Sequence, residues 1–97
     1  MKTYISGPIT GVPDYNRTAF ATAAKSLLAQ GRAVFNPTEN GLPESATWEE
    51  HMRADIKALM DCDVIHMLPG WHRSRGASLE RYLALQIGMT VDEAGEI

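Results

Sequence analysis

The sequence predicts an α/β fold: a small doubly wound parallel sheet of the flavodoxin or Rossmann-like kind, with its elements in βαβαβαβ order. Short β-prone runs alternate with segments whose apolar residues recur every three or four positions, which favours strands alternating with helices. Glycine and proline residues separate these segments and mark turns. The run Asp63–Leu68 is almost continuously apolar, which is typical of a central parallel strand. Because crossovers between parallel strands are right-handed, we expect helices on both faces of the sheet.

The first half of the chain predicts two strands around one helix. Thr3–Ile5 is a short β-prone run that stops at a Ser-Gly-Pro sequence. Asp14 is a candidate N-cap for the first helix. The apolar positions of this helix recur at helical spacing and are Phe20, Ala23, Ala24, Leu27 and Leu28. Gly31 stands where a left-handed C-terminal cap belongs, and Ala33–Phe35 is the second predicted strand.

The second half predicts two more helices and two more strands. Thr47 and Glu50 have the spacing of a capping box at the start of the second helix. The residues of that helix predicted to face the core are Trp48, Met52, Ile56, Leu59 and Met60. After the strand Asp63–Leu68, a third helix is predicted at about Ala77–Ile87, and Met89–Val91 is predicted as the last strand. The inward residues of the third helix are predicted to be Leu79, Tyr82, Leu83 and Ile87.

The composition predicts a single cytoplasmic domain that spans residues 1–97. Twelve acidic and nine basic residues give a net charge of −3, which argues against a general nucleic-acid binder. The single cysteine, Cys62, excludes an internal disulfide framework and fits a reducing cytosol. No apolar run approaches the roughly 20 residues that span a bilayer, and the N-terminus lacks a signal-peptide core. Because a chain this short buries a modest fraction of its surface, homo-oligomerisation would help to stabilise it.

The loops that follow the predicted strands are the places to look for chemistry. Ligands of doubly wound sheets bind at the carboxyl ends of the strands, which here are Ser6–Gly11, Asn36–Gly41 and Pro69–Gly76. The first loop is neither a dinucleotide-binding fingerprint nor a P-loop, since no Gly-Lys-Ser/Thr follows it. The histidines have no metal-ligand spacing to a carboxylate. We therefore expect no catalytic metal.

Two carboxylates are candidates for catalysis. Asp55 borders the apolar stripe of its helix, and Glu80 falls in the first turn of the third predicted helix, where the helix dipole should keep it ionised at neutral pH. An ionised carboxylate at a strand-end cleft suits a nucleophile, and a second, partly buried one suits an acid or base. The alternative is that Glu80 merely complements the helix dipole and that Asp55 forms a solvated ion pair with Arg53 or Lys57.

Three segments together resemble one enzyme superfamily. They are Tyr4–Ile9, Asp55–Ile65 and Ser74–Glu80, and in their order and spacing they resemble the nucleoside 2-deoxyribosyltransferases. The resemblance is to the small deoxyribosyltransferase-like branch, which is related to the 2'-deoxynucleoside 5'-phosphate N-hydrolases, and it covers about Lys2–Gly88. It implies a cofactor-free enzyme that acts on a small nucleoside or nucleotide and forms a homodimer or higher homo-oligomer.

The resemblance also implies roles for individual residues. Glu80 matches the glutamate that attacks C1' of the deoxyribose, and Asp55 matches the aspartate associated with protonating the leaving base. Tyr4 matches a tyrosine that orients the glutamate, and Ser74 matches a serine that contacts the 5' end of the substrate in the monophosphate-specific members. Gly76 would let the backbone approach the sugar closely, which a side chain would block.

Further residues in the loops are candidates for substrate binding. In the first loop these are Ser6, Gly7 and Pro8. Asn36 could hydrogen-bond the base edge, although Asn-Pro is also a common way to end a strand. Trp71 could stack on a nucleobase or pack at the solvent edge. Arg73 and Arg75 flank Ser74 and could hold an anion at the helix start.

Several functional alternatives stay open at this point. The loop after the first strand has no arginine, unlike that of the monophosphate hydrolases, so the substrate could be a nucleoside or its 5'-monophosphate. Either a second base or water could complete the reaction, giving transfer or hydrolysis. The rival to an enzyme is a non-catalytic nucleotide-binding module that sequesters or senses a nucleotide-like ligand. A purely structural oligomerising domain is a third interpretation.

Overall fold

The structure is a computed structural model that describes residues 1–93. The elements are β1 (Lys2–Ser6), α1 (Arg17–Ala29), β2 (Ala33–Phe35), α2 (Trp48–Leu59), β3 (Val64–Met67), α3 (Arg75–Gln86) and β4 (Thr90–Glu93). In this range the four strands are all parallel and form one sheet in the order β2-β1-β3-β4. The predicted α/β fold and the βαβαβαβ order are confirmed. No helix of the described residues is long and apolar enough to cross a membrane.

The strand order of the sheet reverses next to β1. This strand pairs with β2 on one side and with β3 on the other, so that Tyr4 lies opposite both Phe35 and Ile65. The chain moves outward from β1 to β2 and then crosses back to β3 and outward to β4. In such sheets the loops diverge at this reversal and leave a crevice at the carboxyl ends of the strands.

The side chains of β1 alternate between the two faces of the sheet, as the pleat requires. Ile5 packs against Phe20 of α1 on one face, whereas Tyr4 belongs to the cluster on the other face that includes Ala77 of α3. The expectation of helices on both faces is thereby confirmed. Ser6, two residues after Tyr4, shares its face, so β1 presents two hydroxyl groups toward α3.

Several local signals in the sequence are confirmed. Thr47 Oγ1 accepts a hydrogen bond from the Glu50 N–H at 3.0 Å, and Glu50 Oε1 accepts one from the Thr47 N–H at 2.8 Å, which completes the capping box. Gly31 follows α1 with a φ of 80°, which suits glycine because it has no Cβ. The predicted strand bounds agree with the observed ones to within two residues.

The predicted N-cap of α1 is wrong. Asp14 lies in a short 3-10 turn, Pro13–Asn16, and has a φ of 53°, whereas an N-cap residue is extended. The helix begins only at Arg17, after Asn16. The Asp14 carboxylate instead accepts a hydrogen bond from the Arg17 guanidinium at 2.9 Å.

The predicted inward face of α3 is also wrong. Leu79, Tyr82 and Ile87 are 38%, 59% and 54% exposed. The buried residues of α3 are instead Ala77, Glu80 and Ala84. They recur at helical spacing, and because two of them are alanines the helix can pack closely against the sheet. A search for large apolar residues therefore selected the outer face of the helix, and the carboxylate of Glu80 points inward.

Three further apolar residues predicted to face the core are less buried than expected. Met60 is 46% exposed because α2 ends at Leu59, one residue before it. Leu28 is 58% exposed because its neighbour Leu27 takes the core position of α1. Ile56 is half-buried. Exposed apolar side chains are therefore found on α1 and after α2 as well as on α3.

Two glycines beside the sheet crevice differ in what an added methyl group would meet, which gives a test of the packing. A Cβ at Gly7 would lie 2.8 Å from Leu68 Cβ, whereas the nearest atom to a Cβ at Gly76 would be Met52 Sδ, at 3.1 Å. We predict that Gly7→Ala lowers the free energy of unfolding by about 1–3 kcal/mol. Gly76→Ala should change it by less than about 1 kcal/mol, because methionine side chains adapt and alanine favours helix over glycine. Urea denaturation measures both values, and equal losses would contradict the packing described.

Candidate active site

A cavity of about 320 Å³ opens at the carboxyl edge of the sheet, which is within the roughly 300–1,000 Å³ of typical ligand pockets. Its walls come from the loop after β1, the loop between β2 and α2, one face of α2 and the start of α3. All three strand-end loops predicted to hold the chemistry contribute to this wall. Glu80 and Asp55 both line the same cavity.

Glu80 is buried, with 5% of its surface exposed, and both of its carboxylate oxygens are hydrogen-bonded. The Tyr4 hydroxyl donates to Oε2 at 2.6 Å, and the Ser6 hydroxyl donates to Oε1 at 2.6 Å. These distances are typical of hydroxyl groups that donate to an ionised carboxylate. Because both donors lie on one face of β1, the strand holds the carboxylate in a single orientation.

Burial raises the pKa of Glu80 from its ordinary 4.5 to about 7. The hydrogen bonds from Ser6 and Tyr4 lower this pKa, and the negative charge of Asp55 raises it. Burial therefore makes Glu80 much easier to protonate near neutral pH than an exposed glutamate. The expectation that the helix dipole keeps Glu80 fully ionised is wrong. Because α3 begins at Arg75, Glu80 falls in the second turn, beyond the reach of the dipole, and desolvation dominates.

Asp55 is the second buried carboxyl of the cavity and is 5% exposed. Its Oδ1 accepts a hydrogen bond from the Asn40 amide at 2.9 Å. Burial raises its pKa, while the bond from Asn40 lowers it, as does the imidazole of His51 whenever that ring is protonated. Within residues 1–93, no ion pair joins Asp55 to Arg53 or Lys57, so the solvated ion pair is not the arrangement found.

The two carboxyls form an electrostatically coupled pair. Since the charge of Asp55 raises the pKa of Glu80, ionisation of one group favours protonation of the other. The state with an ionised Glu80 and a protonated Asp55 offers a nucleophile and a proton donor in one cavity. Among the described residues, no group of three or more His, Cys, Asp or Glu side chains is arranged to hold a metal ion.

The substrate-binding candidates divide into those at the cavity and those elsewhere. Gly7, Ser74 and Gly76 line the cavity, and Tyr4 and Ser6 contact Glu80. Pro8, Asn36 and Trp71 are not part of the lining.

Asn36 and Trp71 have structural contacts instead. Asn36 Oδ1 accepts hydrogen bonds from the backbone N–H and the hydroxyl of Thr38, at 3.0 and 2.7 Å, and so caps a short 3-10 turn. The Trp71 indole donates to Glu93 at 3.3 Å, and the Arg81 guanidinium lies 4.5 Å from its ring centroid. The contacts observed are thus those of an asparagine that ends its strand, at Asn36, and of a tryptophan that packs at the edge of the protein, at Trp71.

A shallow groove adjoins the cavity at the start of α3 and contains Arg73 and Arg75 beside Ser74. Ser74 caps α3 by accepting a hydrogen bond from the Ala77 N–H at 3.1 Å. The Arg75 guanidinium lies over the Trp48 ring, 4.1 Å from its centroid. Two arginines and Ser74 thus line one groove beside the cavity.

Sequence reasoning missed Trp48, His51 and Asn40 as residues of the cavity. Helical spacing predicts that Trp48 faces the core, yet it is half-buried and lines the cavity. Helical spacing could have identified Trp48 and His51. Together with Asp55 they are spaced three and four residues apart and therefore share one face of α2. The position of Asn40 depends on the conformation of the loop before α2, which no periodic pattern predicts.

The raised pKa of Glu80 makes a prediction about stability. A carboxyl whose pKa is higher in the folded protein stabilises the fold below the unfolded pKa of 4.5, and this contribution is lost as the pH rises toward about 7. The shift corresponds to about 3 kcal/mol. Glu80→Gln keeps the size of the side chain without the charge. We predict that this variant gains about 3 kcal/mol in free energy of unfolding relative to the wild type between about pH 4.5 and pH 8.

Urea denaturation of both proteins across this pH range measures the difference. Glu49→Gln is the matched control, because Glu49 is exposed in the first turn of α2, and its stability curve should stay parallel to that of the wild type. A Glu80→Gln curve that also stays parallel would show that Glu80 is not buried as a carboxylate.

The comparisons with known proteins agree with this architecture. A family model described as "Domain of unknown function (DUF4406)" matches residues 1–93. No curated protein gives a significant sequence match. A solved 2-deoxyribosyltransferase from the psychrotolerant bacterium Bacillus psychrosaccharolyticus superposes with a TM-score of 0.76 at 22% identity, over 100% of this chain and 76% of that one.

A second solved structure, a 2-deoxyribosyltransferase from Leishmania mexicana, has a TM-score of 0.74 and 18% identity, over 95% of this chain and 62% of that one. Identities this low show a common fold. The resemblance to the nucleoside 2-deoxyribosyltransferase superfamily is therefore confirmed for the fold. The chain therefore belongs to the DUF4406 family and has the fold of the 2-deoxyribosyltransferases.

Proposed function

We propose that the protein cleaves the N-glycosidic bond of a 2'-deoxynucleoside, or of its 5'-monophosphate, through a covalent deoxyribosyl ester of Glu80. The observation that carries this proposal is the buried Glu80 carboxylate, held by the hydroxyls of Tyr4 and Ser6 in a cavity that Asp55 also lines. The two similar solved structures, named as 2-deoxyribosyltransferases, support the same chemistry.

In the first step an oxygen of Glu80 bonds to C1' as the bond between C1' and the base nitrogen breaks. Asp55 gives its proton to the departing base, which therefore leaves neutral. The transition state resembles an oxocarbenium ion, which the nearby carboxylate stabilises electrostatically before the new bond forms. A 2-deoxy sugar lacks the electron-withdrawing 2'-hydroxyl, so its cation forms more readily.

In the second step a water molecule or another base attacks C1', and the ester bond to Glu80 breaks. The Asp55 carboxylate takes the proton from the attacking group, so both side chains return to their starting state. Attack by water gives hydrolysis, and attack by a base gives transfer. In both steps Tyr4 and Ser6 hold the Glu80 oxygens.

The cavity supports an orientation for the substrate. Gly76 and Ser74 line the wall at the start of α3, where a close approach of the sugar and a contact to its 5' end are expected. Arg73 and Arg75 beside Ser74 would neutralise a 5'-phosphate. Arg17, in contrast, is already paired with Asp14 at 2.9 Å and Glu44 at 2.8 Å. Trp48 replaces Trp71 as the aromatic candidate for contact with the base, because Trp48 lines the cavity.

We also propose that the protein is a cytoplasmic homodimer. The buried free thiol of Cys62 suits a reducing compartment. The exposed apolar side chains of α3, among them Tyr82 and Leu85, offer a surface that a second copy would cover. Sedimentation equilibrium tests this directly, since a monomer at all concentrations would contradict it.

Product analysis tests the proposed reaction. The protein is incubated with each deoxynucleoside and each 5'-monophosphate, with and without a second base, and released or exchanged base is measured. We predict that Glu80→Ala and Glu80→Gln lower base release by about 10³-fold or more, the scale on which losing a nucleophile acts. Glu49→Gln, exposed on α2, should retain full activity.

Two results would contradict the proposal. One is base release that persists in both Glu80 variants. The other is a wild-type protein that nucleosides or nucleotides stabilise against heat without any release of base. The second result would instead support the nucleotide-binding module.

A further inference from the structure

The side chain of Asn40 lies between two groups of the cavity wall. Its Oδ1 accepts a hydrogen bond from the Leu42 N–H at 3.0 Å. Its Nδ2 lies 2.9 Å from Asp55 Oδ1 and 3.1 Å from His51 Nδ1. Because a backbone N–H can only donate, the bond to Leu42 identifies the oxygen end of the amide. The amino end of Asn40 therefore faces Asp55 and His51.

This arrangement determines where the neighbouring protons lie. An amide nitrogen has two hydrogens to donate and accepts none, so Asp55 Oδ1 and His51 Nδ1 both accept. A neutral histidine that accepts at Nδ1 carries its proton on Nε2. A protonated Asp55 that accepts at Oδ1 carries its proton on Oδ2. Asn40 thus distinguishes two carboxyl oxygens that would otherwise be equivalent.

We propose that Asn40 is a positioning residue for departure of the base: its amide holds Asp55 Oδ1 and His51 Nδ1 and so directs the acidic proton of Asp55 to Oδ2. The inference rests on the proposed function, in which Asp55 protonates the leaving base. Asn40 itself is anchored by three hydrogen bonds, to Leu42, Asp55 and His51. An acid whose proton is fixed on one oxygen meets the substrate in the productive geometry more often.

Losing the amide has two consequences for Asp55. The carboxyl is no longer held at Oδ1, so it rotates away from the productive orientation and its proton is distributed over both oxygens, which together lower the fraction of productive encounters. Its pKa also rises further, because the bond from Asn40 lowers it. The other ionisable groups that act on Asp55 are His51 on its own helix, Glu80 on α3 and Tyr4 on β1, and all three are kept in an Asn40 variant.

The choice of leaving group separates positioning of the acid from a structural role. Asn40→Ala is compared with the wild type on 2'-deoxyguanosine and on 7-methyl-2'-deoxyguanosine, or on their 5'-monophosphates. The methylated base already carries a positive charge and leaves without being protonated. We expect kcat/KM for the ordinary substrate to fall by about 10-fold to 100-fold. For the methylated substrate, kcat/KM should fall much less. Ser45→Ala, exposed in the same loop, should leave both values unchanged.

The pH profile is the second readout, measured on whichever deoxynucleoside the wild type cleaves. Because the pKa of Asp55 rises when Asn40 is lost, the falling limb of kcat/KM should move to higher pH in Asn40→Ala. If Asn40→Ala fails to fold, Asn40→Leu repeats the test, since it keeps about the size of the side chain but has neither an N–H donor nor a charge that would itself shift the pKa of Asp55.

Other outcomes would overturn either the positioning role of Asn40 alone or the proposed function as well. Equal losses on the ordinary and the methylated substrate, or a falling limb that does not move, would overturn the positioning role while leaving the proposed function in place. Base release by neither the variants nor the wild type, on any deoxynucleoside, would overturn the proposed function and this inference with it.

Discussion

The site depends on two hydrogen bonds that join the first strand to the last helix, from Tyr4 and Ser6 to the carboxylate of Glu80. A buried carboxylate is unfavourable unless its oxygens are satisfied, and β1 supplies one hydroxyl to each oxygen. The bonds hold the group in place but do not cancel its desolvation, so its pKa still rises to about 7. The protein therefore keeps a carboxylate that is both oriented and easily protonated, at a cost in stability at neutral pH.

The topology brings these residues together. The reversal of strand order at β1 opens a crevice at the carboxyl edge of the sheet, and the small residues Ala77 and Ala84 let α3 pack closely over β1. Asp55 reaches the same cavity from α2, whose start is fixed by its capping box. Two helices on one face of the sheet thus each present one buried carboxyl to a common space.

Much of the fold could be predicted from the sequence, because periodicity and breaker residues report directly on strands, helices and turns. The inward face of α3 could not, since its buried stripe contains Glu80 between two alanines, and a search for large apolar residues overlooks it. The protonation of Glu80 was also mispredicted, because burial is a property of the packed protein. Similarly, Asn40 lines the cavity and Asn36 does not, a difference made by loop conformation alone.

The central claim is that the Glu80 carboxylate forms a bond to the sugar during the reaction. Rapid acid quenching of the protein during turnover of a deoxynucleoside, followed by proteolysis and mass analysis of the peptides, measures this bond. The account predicts a deoxyribosyl group on the peptide that contains Glu80, and none when that residue is glutamine. A turning-over protein in which no peptide, or a different peptide, carries the sugar would contradict it.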